Sequence, residues 1–396
     1  MLSEQSIPVV RATLPAVGAA LGEITPRFYA RMFAAHPELL RDLFNRGNQA
    51  NGEQQQALAG SIAAFATLLV ERPEARPDAM LARIAHKHAA LGVTAAQYKI
   101  VHEHLFAAIV EVLGDAVTPE VAAAWDEVYW LMANALIALE AGLYRDAGRP
   151  DGDVWQRMEI TGRTEETADT VSFRLRPAGG GPAGTFRPGQ YVSVQVELPD
   201  GARQIRQYSL SAAPGADDWR ITVKRVHGAG PDGEVSTWLH RNARVGDVLT
   251  VSAPFGDLVL PEGDGPLLLA SAGIGITPML AILDGLAADD AKRPVAVVHA
   301  DRSPADHAHA AEQRDRVAAC AAADLSVWYE ENAADTGANS GTIDVGTLDV
   351  RPGTTVFLCG PLPFMRAVRG GLLRRGVPAE AIHYEVFGPD LWLGQE

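Results

Sequence analysis

Arg206-Gln207-Tyr208-Ser209-Leu210 stands where two kinds of sequence pattern meet. Upstream, an Ala-rich helical stretch of about 150 residues gives way to alternating strands. Downstream, a Gly-rich loop, Gly273-Ile274-Gly275-Ile276-Thr277-Pro278, follows an apolar strand. A strand's period of two places Arg206, Tyr208 and Leu210 on one face and Gln207 and Ser209 on the other. An arginine offers a planar fork to a pyrophosphate, and a tyrosine offers a flat surface to a ring. The stretch is therefore suited to cradling a flavin, and the Gly-rich loop to bringing a nicotinamide to it.

Composition narrows the classes. A chain of 396 residues, 47% hydrophobic and 21% charged, suggests two to three core-forming domains. A formal net charge of −15 argues against nucleic acid as a partner, because nothing neutralises phosphates. Two cysteines, Cys320 and Cys359, make neither a disulfide framework nor a zinc or iron–sulfur site. Met1–Pro8 has no secretory pattern, and no uninterrupted apolar segment of about 18 residues appears. The expectation is a cytoplasmic protein without a membrane span, and a monomer.

Residues 1–148 read as about seven helices, an all-α domain of globin size. One helix starts near Ser3 or Ser6, a second runs from Ile24 to Ala35, and a short one from Pro37 to Phe44. Asn45–Asn48 reads as a loop. Further helices run from Asn51 or Gly52 to Val70, Ala79 to Leu91, Ala95 to Leu113 and Pro119 to Arg145, with a break at Arg72–Pro77. Residues 149–153 form a polar linker. Strands follow at Met158–Thr161, Val171–Arg176, Tyr191–Val196, Gln204–Leu210, Arg220–Lys224 and Val248–Ser252, an antiparallel β-barrel over 154–262. From 263 to 396, apolar strands at Leu267–Ala270, Val295–His299, Val327–Tyr329, Thr355–Leu358 and His383–Glu385 alternate with helices, a doubly wound α/β domain.

Eleven histidines invite a metal reading. His86 and His88 lie about 200° apart on a helix, so they cannot share a metal; His102 and His104 have the same spacing. A single axial histidine in a helical pocket suits haem, and His88 is the candidate. Phe28, Phe44, Leu58 and Ile62 would cover it. Tyr29 and Gln54 would form a polar distal pair, with Gln54 and Leu58 at i, i+4 on one helix face. On pattern alone, Tyr29 and Phe44 suit an ordinary aromatic core somewhat better.

At this point the whole chain resembles the flavohaemoglobins, a globin followed by a ferredoxin-reductase-like FAD and NAD(P) module. The matching residues run in order: Phe28-Tyr-Ala-Arg-Met-Phe33, Leu43-Phe-Asn45, Asn48-Gln49, Asn51-Gly-Glu-Gln54, Lys87-His88, Gln97-Tyr98, Arg187-Pro-Gly-Gln-Tyr191, Arg206-Gln-Tyr-Ser209, Val235-Ser-Thr-Trp-Leu239, Ser271-Ala-Gly-Ile-Gly275, Cys359-Gly-Pro361 and His383-Tyr-Glu-Val-Phe-Gly-Pro389. Two small departures are Val386, where a Cys is common, and Ile276, where Gln is frequent.

The resemblance implies cofactors haem b, FAD and NADH or NADPH. It makes His88 the proximal iron ligand and joins Tyr98 and Glu140 to it as a charge-relay set that would make the imidazole more electron-donating. Tyr29 becomes the distal hydroxyl for dioxygen, beside Gln54 and Leu58. Tyr191, Arg206, Gln207, Tyr208 and Ser209 become flavin contacts. Val235, Ser236 and Thr237 would give backbone N–H groups and a hydroxyl to the pyrophosphate. Phe387, within Val386-Phe387-Gly388-Pro389, would stack on the flavin, and Lys87 would tune potential between the cofactors. Gly273, Ile274, Gly275, Ile276, Thr277 and Pro278 with Cys359, Gly360 and Pro361 would hold the nicotinamide nucleotide. Asp301 suits a ribose 2′-hydroxyl and Arg302 a 2′-phosphate, which leaves NADH versus NADPH open.

The implied activity is nitric oxide dioxygenase. NAD(P)H reduces FAD, FAD reduces haem iron one electron at a time, and the ferrous-oxy haem converts nitric oxide to nitrate. Three alternatives keep parts of this scheme: a haem-dependent alkyl or lipid hydroperoxide reductase, an oxygen carrier or haem-based gas sensor, and a haem-free flavin reductase with a helical cap.

Overall fold

The computed structural model describes residues 1–72, 74, 77–227, 230–288 and 293–389. Three residues of the expected break at Arg72–Pro77 (73, 75 and 76) lie outside the described residues. The chain divides into two compact units. One comprises Met1–Trp155 with Glu197–Arg206 and the chain from Gly388; the other comprises Gln156–Val196 and Gln207–Phe387.

The first unit is helical. Its elements are α1 (Ser6–Ala35), α2 (Pro37–Asp42), α3 (Arg46–Ala50), α4 (Glu53–Glu71), α5 (Asp78–Leu91), α6 (Ala95–Leu113) and α7 (Pro119–Asp146). The two helices expected before Pro37 are one, 30 residues long, with Pro15 and Pro26 inside it. Each proline frees a carbonyl one turn back, at Arg11 and Gly22, and both of those residues are exposed to water. The buried stripe Val10, Val17, Leu21, Ile24, Phe28 and Met32 holds the helix through both breaks. Length and composition alone would let α1 cross a membrane. Its outer side, however, carries Arg11, Glu23, Arg27 and Arg31, and its inner stripe packs against α4 and α6.

The expected loop at Asn45–Asn48 is instead the start of α3. Asn45 caps it by accepting from Gly47 N and Asn48 N at 2.9 and 3.3 Å, which suffices for one turn in a stretch with no apolar periodicity. Helix α5 ends at Gly92, whose φ of +74° reverses the chain. A side chain there would sit 2.6 Å from the Gly152 carbonyl, so the segment after α7 folds directly over the end of α5. The stretch expected as a linker is therefore pinned, not loose.

The second unit holds two sheets, except for Trp155 of the first strand, Glu197 of the third and Arg203–Arg206 of the fourth, which belong to the first unit. The strands β1 (Trp155–Thr167), β2 (Thr170–Pro177), β3 (Tyr191–Glu197), β4 (Arg203–Ser209), β5 (Trp219–Lys224) and β6 (Val248–Ser252), with helix α8 (Glu234–Asn242), come first. They order as β4-β3-β6-β1-β2-β5, and an antiparallel bridge from Leu210 to Ile221 brings the two edges together as a barrel. The opening stretch does not alternate as period two predicts. Arg206, Gln207 and Tyr208 are all half-buried, while Ser209 and Leu210 are both buried, because barrel closure at Leu210 covers both faces of the strand end.

The other sheet is parallel, in the order β10-β9-β8-β7-β11-β12. Its strands are β7 (Leu267–Ala272), β8 (Val295–Asp301), β9 (Ala323–Tyr329), β10 (Asn339–Ser340), β11 (Thr355–Cys359) and β12 (Ile382–Glu385), with helices α9 (Ile276–Ala288), α10 (Ala310–Ala319) and α11 (Leu362–Arg374) between them. Strand order reverses between β7 and β11. In a doubly wound sheet this is where a crevice opens beyond the strand ends and ligands bind.

Candidate functional site

In the helical unit, three residues from three helices meet. His88 Nδ1 on α5 lies 2.9 Å from Glu140 Oε1 on α7 and 3.0 Å from the Tyr98 hydroxyl on α6. Tyr98 donates to the same Glu140 oxygen at 2.5 Å. Glu140 is 2% exposed, and a buried carboxylate needs such donors. Burial and then the Glu140 charge hold the Tyr98 phenol protonated, well above the ordinary tyrosine range. With Nδ1–H committed to the carboxylate, Nε2 is the basic ring nitrogen. Another histidine of this unit is already partnered: His102 Nε2 meets Asp126 Oδ1 at 2.6 Å and its ring stacks on Phe106.

The expected distal residues also come together. Tyr29 is buried in one cluster with Phe28, Phe44, Leu58 and Ile62, its ring 5.6 Å from Phe33 and 5.8 Å from Phe44. Burial pushes its phenol above the ordinary range, and the side-chain amides of Gln54 and Gln49 offset part of the rise. Tyr29 thus keeps its proton. Gln49 was missed as a site residue, although it stands in the Asn48-Gln49 pair of the resemblance. Its Nε2 is buried without an acceptor at hydrogen-bond distance among the described residues, while Gln55 Nε2 holds its Oε1 and backbone carbonyl at 3.2 Å. An imidazole anchored through Nδ1, with a protonated phenol and side-chain amides in the same helical unit, fits haem. Lys87, beside His88, donates to the Gly388 carbonyl at 2.6 Å.

In the second unit, two buried hydroxyls lack a partner among the described residues: Ser209 Oγ at the end of β4 and Thr237 Oγ1 in the first turn of α8. Such atoms suit a polar cofactor. The Ser236 hydroxyl is already used, accepting from Val226 N at 3.1 Å and donating to Gly233 O at 3.2 Å. Of the hydroxyls in Val235–Thr237, Thr237 is therefore the one that suits a pyrophosphate, together with the first-turn N–H groups of α8. Tyr191 is buried against Gly256, and Gln207 and Tyr208 are half-buried. Phe387 is 45% exposed, an unusual position for a large aromatic, whereas its neighbour Val386 is buried.

The Gly273–Gly275 turn leads into α9. A side chain at Gly275 would lie 2.3 Å from the Cys359 carbonyl, so the loops Gly273–Gly275 and Cys359–Pro361 touch at the switch point. Ile276 and Pro278 are buried core, and Thr277 Oγ1 bonds Ile274 O at 2.9 Å. These three residues shape the loop. Past β8, Arg302 Nε reaches Asp306 Oδ2 at 3.0 Å and its Nη2 meets Asp306 Oδ1, while Asp301 Oδ1 accepts from Arg302 N at 2.8 Å. Sequence reading also passed over a buried polar group beside these loops. His299 Nδ1 meets Ser271 Oγ at 2.9 Å, its ring stacks on His307 at 4.1 Å, and His307 Nδ1 meets the Tyr329 hydroxyl at 2.8 Å.

Comparison with known proteins agrees with this layout. Residues 26–136 match the Globin family model, 157–259 the Oxidoreductase FAD-binding domain and 269–370 the Oxidoreductase NAD-binding domain. A flavohemoprotein of Chromobacterium violaceum is 42% identical over 402 residues, covering 98% of each chain. One from Rhizobium meliloti is 41% identical over 409 residues, covering 99% of this chain and all of its own. The crystal structure of flavohemoglobin from Malassezia yamatoensis with bound FAD and heme is similar at TM-score 0.90 and 39% identity, over 98% of this chain and 100% of that one. The FAD/NAD-binding domain of nitric oxide dioxygenase from Vibrio cholerae is similar at TM-score 0.56 and 38% identity, over 59% of this chain and 99% of its own. With three domain models in order and relatives matched along their full length, the chain is an oxidoreductase of the flavohemoprotein family.

Proposed function

We propose that the protein is a nitric oxide dioxygenase that draws electrons from NADH through FAD and haem. Its domains are the globin over 1–148, the flavin barrel over 154–262 and the nucleotide domain over 263–396. The observation that carries the reading is half-buried His88 bonded to buried Tyr98 and Glu140, in the same helical unit as a buried, protonated Tyr29. When bound, haem supplies dioxygen activation, and FAD splits a two-electron hydride into single electrons. The overall reaction balances as two nitric oxide and two dioxygen molecules plus one NADH giving two nitrates, NAD⁺ and one proton.

The chain's own residues prepare this chemistry. Glu140 accepts from His88 Nδ1, which leaves Nε2 as the nitrogen that would hold haem iron and would make it a stronger electron donor. Tyr98 donates its O–H to the same Glu140 oxygen and fixes the carboxylate in place. The Tyr29 O–H, protonated and flanked by Gln54 and Gln49, is placed to donate to a ligand that gains negative charge. Phe44, Leu58 and Ile62 keep the same space dry. On the reductase side, Ser209, Thr237 and the α8 start would hold FAD, and the turns at Gly275 and Gly360 would admit the nucleotide backbone-on. The Vibrio cholerae neighbour's description as a nitric oxide dioxygenase supports the choice of substrate.

Stopped-flow mixing of the NADH-reduced, oxygenated protein with nitric oxide tests the reading. The expected product is nitrate, one per nitric oxide. Consumption without nitrate would remove the activity. In the same assay Tyr29→Phe loses dioxygen at least about tenfold faster, the cost of one hydrogen bond to a charged acceptor; an unchanged rate would take Tyr29 out of the mechanism.

A further inference from the structure

Gln204 lies on β4 two residues before Arg206 and is 1% exposed. Its Nε2 is within reach of three backbone carbonyls: Leu40 at 3.3 Å, Arg41 at 3.1 Å and Phe44 at 3.2 Å. Its Oε1 accepts from Arg46 N and from Arg206 Nη1, each at 3.3 Å. Both ends of one amide are thus spent on the turn between α2 and α3. Around this centre, Arg203 holds Asp42 through its backbone N at 3.2 Å and its guanidinium at 2.7 Å, and Arg46 meets Asp200 at 2.6 Å.

The turn needs such a partner. Helix α2 has six residues, and its last carbonyls have no acceptor role inside so short a helix. None of its residues is fully buried, and only Leu39 packs, partly buried, on the Phe28–Tyr29 cluster, so packing holds it weakly. Yet the turn sets two pocket residues. Phe44 packs edge-on to Phe33 at 5.3 Å and to Tyr29 at 5.8 Å, and α3, entered directly from Asn45, carries Gln49.

We propose that Gln204 is a positioning residue for the haem pocket: by closing the 40–46 turn from strand β4, it holds Phe44 and Gln49 against Tyr29. The proposal rests on the reading that haem lies between His88 and Tyr29. It gives the barrel strand a role in shaping the distal wall, separate from any contact with flavin. The ion pair of Arg203 and Asp42 is outside this role, because the Arg203 side chain is 53% exposed and such pairs contribute little.

The test uses the full-chain holoprotein with Gln204→Leu, Gln204→Glu and, for comparison, Arg203→Met. Two readouts are taken: the C–O stretching band of the ferrous carbon monoxide complex, and the rate of haem loss to excess apomyoglobin. Gln204→Leu removes both ends of the amide; haem loss rises about tenfold and the single C–O band splits or broadens. Gln204→Glu keeps the acceptor for Arg46 and Arg206 but sets an oxygen against three carbonyls, and it moves both readouts the same way even if Gln204→Leu does not accumulate. Arg203→Met stays within about twofold of wild type. A wild-type band and haem-loss rate in both Gln204 variants would overturn the proposal while leaving the haem reading intact. A wild-type protein without a Soret band, or a His88→Ala protein that keeps one unchanged, would overturn the haem reading itself and the proposal with it.

Discussion

Replacing Glu140 by Gln keeps the size of a side chain that is 2% exposed and removes its charge. Two donors lose an anionic acceptor: His88 Nδ1 at 2.9 Å and Tyr98 at 2.5 Å. A hydrogen bond to a charged group contributes about 1.5–3 kcal/mol and a neutral one about 0.5–1.5, so the imidazole loses roughly 1–1.5 kcal/mol of support for its electron-rich form. That form favours ferric over ferrous iron. At about 59 mV per 1.4 kcal/mol for one electron, the haem midpoint potential rises by roughly 40–60 mV. Tyr98→Phe separates charge from geometry. It leaves the carboxylate in place and removes the donor that drains it, so Glu140 pulls harder on His88 and the potential falls by a smaller amount. Spectroelectrochemical titration of the Soret band in the two variants reads both signs. A potential that is unchanged or lower in Glu140→Gln, with haem still bound, would refute the view that the three residues act on iron through His88.

Gly275→Ala places a methyl group 2.3 Å from the Cys359 carbonyl, so the two loops at the switch point must part; steady-state kinetics should show KM for NADH raised at least about tenfold, while reduction by dithionite is unaffected, and an unchanged KM would separate this turn from nucleotide binding. Arg302 is clamped by Asp306 and flanked by Asp301, so NADH should exceed NADPH in kcat/KM by at least about tenfold, and Asp306→Ala should narrow the ratio by releasing the guanidinium; a ratio that does not move excludes Arg302 from the choice. Burial, followed by the neighbouring His299, holds the His307 imidazole down at about 2. Its unfolded form takes a proton near pH 6.5, so the unfolded state binds more protons below that value and stability falls on acidification, by at most about 1.4 kcal/mol per pH unit. Calorimetry from pH 7 to 5 should therefore show a smaller loss of Tm for His307→Gln than for wild type, and parallel losses would dismiss the argument.

The strands and the long amphipathic helices were legible because burial on one or both faces imposes a period on the residues themselves. Strands β3, β5 and β6 and helices α5 to α7 begin and end within a residue or two of where pattern and caps place them. Reading failed where local chemistry or distant packing overrides periodicity. The two helices expected before Pro37 are one because a continuous buried stripe carries the helix through Pro15 and Pro26. Helix α3 depends on one Asn45 side chain. Tyr98 and Glu140 are 42 residues apart, and no spacing rule pairs them, so only the resemblance brought them to His88. Gln204 is 160 residues from Phe44 and carries no motif, which is why its contacts appear only in three dimensions.

The crossing of Gly92 and Gly152 bears on how this protein can be cut and rebuilt. A methyl group on Gly152 would fall 2.5 Å from the Thr94 side chain, just as one on Gly92 would strike the Gly152 carbonyl. The two glycines are therefore one device, and losing either closes the crossing. Its position matters because α5, the helix bearing His88, stops at Gly92. A truncation after Asp146 would yield the seven helices but strip the strap from the end of that helix, and one after Trp155 would keep the strap but remove Gln204 from the 40–46 turn. Anyone grafting another reductase onto this helical part, or another helical part onto this reductase, must move the strap and its glycine together.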